Sequence, residues 1–249
     1  MTVSGRIEEG VRVRFDECGA DGAARVSAHL RWAQDVAWRH SELAGFDRAW
    51  YAARGMTWLV RCLRLDVLAP ATSGQALRVS TEVIGWRRVW ARRRSEIRAD
   101  GPLLATAHTD WVLLGANGQP VRVPAEILAV FAGALPTFEP ERVPPAQAPS
   151  HADRRTLAVR RQELDPMGHV NHAVYLDWLE EAMEAAGGQA DLDRLPRRYR
   201  LEYERPAEPG AALRATTWRD AGGDWRYGLT TTEGTELLRA SLEPRPRPD

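Results

Sequence analysis

Apolar positions recur at helical spacing in two stretches of the chain and alternate with polar ones over most of the rest. Val174, Tyr175, Trp178, Leu179, Ala182, Met183 and Ala186 fall on one stripe, with Asp177, Glu180, Glu181 and Glu184 opposite. That is the pattern of an amphipathic helix laid on a core. Gly187-Gly188 stops it, because glycine reverses the backbone at little steric cost. The same spacing predicts an earlier helix over 27–44, with Ser27 as cap, Gly45 as stop and Trp32, Val36 and Ala37 on its apolar stripe. A short helical piece follows around 47–54. Alternation predicts strands at 11–15, 58–68, 77–84, 89–99 and 103–114, the last two turning at Asp100-Gly101. Residues 1–10 read as a loose leader and 244–249, PRPRPD, as a disordered tail. Pro136, Pro140, Pro144, Pro145 and Pro149 punctuate a stretch without apolar period, so 132–154 reads as an extended linker.

Beyond the linker the first half recurs. Residues 65–81 read LDVLAPATSGQALRVST and 201–217 read LEYERPAEPGAALRATT, matching without a gap. LLATA (103–107) parallels LLRAS (237–241), and the helix with Trp32 parallels the helix with Trp178. Matched order over a whole half marks a duplication. Each half is a strand, a long helix and a run of antiparallel strands, hence α+β with the sheet wrapping the helix. The domains expected are 1–131 and 155–249, joined by 132–154.

Composition narrows the class without naming it. With 249 residues, 44% hydrophobic and 27% charged, the chain is an ordinary globular protein of one or two domains. No apolar run approaches a membrane span, and the N-terminus lacks a signal-peptide pattern. Cys18 and Cys62 are the only cysteines, so no disulfide framework is expected and the protein reads as cytosolic. A net charge of zero gives no bias toward nucleic acid or membrane. All 34 basic residues are arginine, and asparagine occurs only at Asn117 and Asn171, which codon bias in a GC-rich genome explains.

The chemistry gathers just before the second helix, in LDPMGHVNHAVY. Asp165 is followed by His169, Asn171 and His172, and Asn171 stands where an N-cap belongs. An acid and two imidazoles thus sit at the positive end of a helix dipole, where an anion is stabilised. Two readings of Asp165 are open: a base or nucleophile, or a side chain that only ties a turn. Asn171 likewise serves as cap or as substrate contact. A zinc site of Asp165, His169 and His172 has no supporting second His-x-x-His or cysteine, and none is assigned. In the first half Gly19, Ala23 and Arg25 stand opposite Asp165, His169 and Asn171, so that copy has lost its acid.

These residues resemble a known family. Residues 165–175 are similar to the thioesterases related to 4-hydroxybenzoyl-CoA thioesterase, which have the hotdog fold. WRHSELAG (38–45), Thr57-Trp58-Leu59 and TDWVLL (109–114) resemble the N-terminal hotdog of the acyl-ACP thioesterases, where two hotdogs also lie in tandem. The resemblance implies two hotdog modules and Asp165 as base or nucleophile. It further implies His169 and His172 as the positioning histidines, and the His172 amide as donor to the thioester carbonyl. It also implies that the first module supplies much of the acyl pocket. The chain departs from the plant pattern at Met167, where an asparagine is usual, and at Pro206-Ala207, where a glutamate-cysteine pair is usual. A cysteine nucleophile at that position is therefore ruled out.

Two further groups carry expectations. Trp32, Trp58, Trp86, Trp90 and Trp111 are candidates to line an acyl pocket, with ordinary packing as the alternative. Arg87, Arg88, Arg92, Arg93, Arg94 and Arg98 make one strand basic, either as a solvated face or as a dock for an acidic carrier. The expected activity is hydrolysis of acyl-[acyl carrier protein] to free fatty acid without metal or cofactor, by a monomer or homodimer. An acyl-CoA thioesterase is the nearest alternative, and a non-catalytic acyl-thioester sensor the alternative from another class. A hotdog dehydratase would need a different Asp-to-His spacing.

Overall fold

The computed structural model describes residues 5–131 and 135–244. It divides into two units, Met1–Leu63 with Ala69–Glu141, and Arg64–Leu68 with Arg142–Asp249. The first holds β1 (Ile7–Arg12), α1 (Val26–Leu43), α2 (Arg48–Ala53), the first part of β2 (Thr57–Val67, whose residues from Arg64 count with the second), β3 (Ala76–Arg87), β4 (Trp90–Arg98), β5 (Leu103–Leu114) and α3 (Ala125–Phe131). Its strands follow the order β1-β3-β4-β5-β2. The second holds β6 (Asp153–Ala158), α4 (Val174–Ala185), α5 (Gln189–Leu192), β7 (Arg197–Tyr203), β8 (Ala212–Arg219), β9 (Trp225–Thr231) and β10 (Glu236–Glu243). Its order is β6-β8-β9-β10-β7, the same path. A strand, a long helix and four antiparallel strands thus occur twice, as two hotdog modules.

Period-2 burial builds the sheets. In β8, Leu213, Ala215 and Thr217 are buried while Arg214 and Arg219 face outward. The helices supply the other half of each core. Leu176, Leu179 and Met183 of α4 are fully buried, as is Leu30 of α1, and each such side chain contributes about 1.5–3 kcal/mol. The first module adds an aromatic cluster of Phe46, Tyr51 and Phe131 around Leu113 and Ile127.

Several boundaries differ from the sequence reading. β1 begins at Ile7 inside the expected leader, because pairing with β3 from Ile7↔Thr81 to Arg12↔Ala76 decides the strand, not its own weak alternation. α1 starts at Val26, so Ser27 is an interior residue; it is buried and accepts from the Arg31 guanidinium at 2.8 Å. α3 lies in 115–131, for which no element was expected, and β6 starts at Asp153, inside the expected linker. Of the expected tail, 245–249 lies outside the described residues, as do 1–4 of the leader and 132–134 of the linker.

The described part of the expected linker forms no helix or strand before β6, and it is pinned to each unit. Within the first unit the Phe138 ring lies under the Arg92 guanidinium at 4.3 Å, and the Glu141 amide donates to Asp110 Oδ2 at 3.3 Å. Gly85 permits this approach: a Cβ there would meet Phe138 Cδ1 at 2.8 Å. Within the second unit Arg142 and the Val143 amide donate to the fully buried Glu202 at 2.7 and 3.0 Å.

Candidate active site

The acid sits in a loop that the chain builds twice, bond for bond. A 3-10 turn at Arg161–Glu163 leads to a bridge between Leu164 and Val170, with Asp165 N donating to His169 O at 2.8 Å and Gly168 N to Asp165 O at 2.9 Å. Asn171 N then donates to Glu163 O at 2.9 Å. In the first module a 3-10 turn at Phe15–Glu17 leads to a bridge between Cys18 and Ala24. There Gly19 N donates to Ala23 O at 2.9 Å, Gly22 N to Gly19 O at 3.0 Å, and Arg25 N to Glu17 O at 2.9 Å. Gly168 and Gly22 both take positive φ, 80° and 77°, which glycine adopts without strain. Each loop is fastened to its helix by a tryptophan: Trp178 Nε1 donates to Glu163 Oε1 at 3.1 Å, and Trp32 Nε1 to Glu17 Oε1 at 3.0 Å. Gly19, Ala23 and Arg25 therefore occupy the places of Asp165, His169 and Asn171.

The acid is held by one oxygen. Asp165 Oδ1 accepts from Met167 N at 2.8 Å, and Oδ2 has no hydrogen-bond partner among the described residues. The turn-tying role and an available carboxylate oxygen thus coexist. The His169 ring makes no hydrogen bond to this carboxylate; its Nδ1 is shielded from solvent without a partner among the described residues. Asn171 Oδ1 accepts from Ala173 N at 3.0 Å, so Asn171 satisfies an amide of the helix entrance although α4 itself begins at Val174. The His172 carbonyl accepts from the Tyr203 hydroxyl at 2.9 Å.

One neighbour escaped the sequence reading. Tyr175, on the apolar stripe, accepts from Ala207 N at 3.0 Å. Its burial, and then the charges of Asp165 and Glu208, push its pKa up to about 12, against the lowering by the Ala207 bond. The phenol thus lies within electrostatic reach of two carboxylates, one of them the loop acid Asp165. Its helical spacing from Asn171 was the available signal.

The first module has a cavity, away from its own copy of the loop. It is lined by Gln34, Ala37, Trp38 and Ser41 of α1, Tyr51 of α2, Trp58, Val83, Trp86, Ala91, Arg93 and Trp111 of the sheet, and Ile127 and Phe131 of α3. Its empty space, mouth included, is about 510 Å³. Of the candidate tryptophans, Trp58, Trp86 and Trp111 line it, whereas Trp32 and Trp90 do not. Trp32 is the buried fastener of the loop, and Trp90 stands beside the β3–β4 turn opposite Val112. The sequence reading also missed Trp38.

The arginine row divides by strand face. Arg92 forks onto Asp110 at 2.6 and 2.8 Å; burial opposes its charge, but the hydrogen bonding and charge of Asp110 outweigh it and raise its pKa. Arg94 pairs with Glu82 at 2.5 Å, Arg98 with Glu96 at 3.2 Å, and Arg87 with Glu139. Arg93 faces the cavity instead, which removes it from any outer docking face. Arg88, exposed at the turn with φ 53°, has no ion pair among the described residues. Period-2 alternation through Ala91, Arg93 and Ser95 was the sign that Arg93 points inward.

Two hotdog modules, one with an acid-bearing loop and one with an aromatic-lined cavity, define the class. Comparison with known proteins then defines the family. Residues 6–131 match the family described as "Acyl-ACP thioesterase N-terminal domain" and residues 146–243 "Acyl-ACP thioesterase C-terminal domain". The chain belongs to the acyl-ACP thioesterase family. It is 26% identical over 260 residues to an acyl-[acyl-carrier-protein] hydrolase, FATB2, chloroplastic, from Cuphea viscosissima, which it matches over 94% of its own length and 61% of the relative's. The same identity and coverage hold for a palmitoyl-acyl carrier protein thioesterase, chloroplastic, from Cuphea hookeriana. The chain therefore spans about 61% of the length of these curated relatives. Among solved structures, the 12:0-ACP thioesterase from Umbellularia californica superposes with a TM-score of 0.79 at 21% identity, covering 96% of each chain. An acyl-ACP thioesterase from Bacteroides thetaiotaomicron superposes with a TM-score of 0.80 at 16% identity, covering 95% of this chain and 96% of that one. These likenesses establish the shared fold.

Proposed function

We propose that this protein hydrolyses acyl thioesters carried on acyl carrier protein, releasing the free fatty acid and the carrier thiol. The observation that carries the reading is the twice-built loop, in which the single change from Gly19 to Asp165 supplies a carboxylate with one oxygen fixed and the other unpartnered. Asp165 takes a proton from water as the water oxygen adds to the thioester carbonyl. The His172 amide, at the entrance of α4, donates to the oxyanion that forms. As the tetrahedral adduct collapses, the carbon–sulfur bond breaks and the proton held by Asp165 passes to the departing thiolate. Direct attack by the carboxylate, followed by hydrolysis of the anhydride, gives the same products. His169 and Asn171 position the water and the thioester.

In this reading the first module receives the acyl group among Trp38, Trp58, Trp86 and Trp111. An acidic carrier is met by Arg88, the exposed member of the arginine row that makes no ion pair among the described residues. The enzyme works in the cytosol; no helix among the described residues is long and apolar enough to cross a membrane. Thiol release from acyl-ACP and acyl-CoA by wild type and Asp165→Ala tests the proposal. Release from acyl-ACP that Asp165→Ala abolishes supports it. Preference for acyl-CoA would reassign the carrier, and binding without thiol release would make the protein a sensor.

A further inference from the structure

The cavity of the first module is bordered by a cation, Arg93, that no carboxylate among the described residues pairs. No aspartate or glutamate lines it, and among the described residues Arg93 makes no ion pair. The hydrogen-bond partner of Arg93 is His40 Nδ1, 3.0 Å from Nη1. A guanidinium carries five N–H donors in a fixed fork, so most of them remain unused. The group lies 5.7 Å over the Phe131 ring, whose other neighbours include His40 at 5.1 Å, Phe46 at 6.0 Å and the Trp86 ring at 6.4 Å. Trp86 adds a second orphan: its indole N–H is shielded from solvent and has no acceptor among the described residues. The cavity wall thus carries two donor groups and no carboxylate to meet them. Surrounding protein atoms desolvate Arg93 and pull its pKa down to about 10, a smaller influence of Tyr51 pulling it upward, so it remains charged at neutral pH. Its residual exposure is what a side chain bordering a cavity shows.

A plain alkyl chain laid along this wall would strip the remaining water from the guanidinium and return no hydrogen bond. An oxygen acceptor at that point would return several, strongest when anionic and planar. We propose that the cavity selects acyl groups bearing an oxygen acceptor away from the thioester, a terminal carboxylate above all, and that Arg93 is the specificity-determining residue. The inference rests on the acyl-thioesterase reading for its substrate, but the recognition belongs to the cavity alone.

The test separates the two. Trp58, Trp86 and Trp111 line the cavity, so intrinsic fluorescence reports its occupation. Binding of the non-hydrolysable octanoyl and 7-carboxyheptanoyl amides of pantetheine is measured with wild type, Arg93→Met and Arg93→Lys. The carboxylated analogue binds wild type about tenfold more tightly or better, Arg93→Lys keeps part of that preference, and Arg93→Met loses or inverts it. Equal or tighter binding of the alkyl analogue to wild type overturns the proposal, as does a preference that survives in Arg93→Met. Were Arg93→Met not to fold, the wild-type and Arg93→Lys preferences would still decide. Thiol release from the matching thioesters on the carrier is followed in parallel. Preferential binding without any release would sink the hydrolase reading and leave the cavity's selectivity standing. Release that ignores the terminal carboxylate would do the reverse.

Discussion

The two modules share a fold and a loop and have diverged at opposite ends of their helices. At the helix entrance the second module has Asp165, His169 and Asn171 where the first has Gly19, Ala23 and Arg25, on matching backbone bonds. At the far end the first module is the larger. Its helix runs 18 residues against 12. Thirteen residues separate the paired Thr81 and Ser95, whereas nine separate the equivalent Thr217 and Tyr227. The longer hairpin carries Trp86, Ala91 and Arg93, and the longer helix carries Trp38 and Ser41, so the extra length is what encloses a cavity. A duplicated module can lose a side chain from one copy and gain length in the same copy without disturbing the shared core. On the proposed reading one copy does the chemistry and the other holds the acyl group.

That comparison can be broken most sharply at the loop. Asp165→Asn keeps the Met167 bond geometry but removes the base, and turnover should fall by about 10²–10⁴-fold. Gly19→Asp, whose Cβ would meet only the flexible Asp21 Oδ1 at 3.0 Å, should leave turnover as it was and should not rescue Asp165→Asn. Rescue, measured as thiol release, would mean that the first loop is still competent.

Next come the neighbouring arginines of β4, which the account treats as opposites. Arg92→Met strands Asp110, 2% exposed, without its fork, and should cost about 3–5 kcal/mol by denaturant unfolding. Arg93→Met removes a desolvated charge with no carboxylate, and should stabilise by about 1–3 kcal/mol at neutral pH. The sign follows from the lowered folded pKa. The cation penalises the folded state fully below about 10, and the penalty fades as pH climbs from there toward the unfolded value. The advantage of Arg93→Met should therefore shrink above pH about 10. A destabilised Arg93→Met would show that the cation is paired after all.

The smallest effect concerns what the copies still share. Trp32→Phe and Trp178→Phe each remove one indole bond to a glutamate and should each cost about 1.5–3 kcal/mol, equally within error. Unequal losses would mean that the two loops are fastened differently.

Much of this was legible in the residues. The repeat at 65–81 and 201–217 carried the strand order, and the spacing of Asp165, His169 and Asn171 carried the loop. The opposition of Gly19 to Asp165 also followed from the repeat. What stayed hidden depended on partners distant in sequence. Ser27 has the chemistry of a cap, but the loop geometry starts α1 one residue earlier and turns Ser27 inward. Arg93 looked like one charge in a row, and only pairing with Val83 and Thr109 under α1 and α3 made it a cavity wall. Trp32 and Trp90 were indistinguishable from Trp58 and Trp86 by composition, since partners distant in sequence, such as Glu17 for Trp32, decide where each indole sits.

The division of labour is tested most directly by an acyl-length panel on the carrier, read as thiol release, for Trp86→Ala beside Asp165→Asn. If the first module holds the acyl group and the second performs the hydrolysis, enlarging the cavity at Trp86 changes the ratio of long-chain to short-chain turnover. Asp165→Asn then lowers every length by a common factor. A Trp86→Ala profile that keeps the wild-type ratio, with Asp165→Asn altering it instead, would contradict the account.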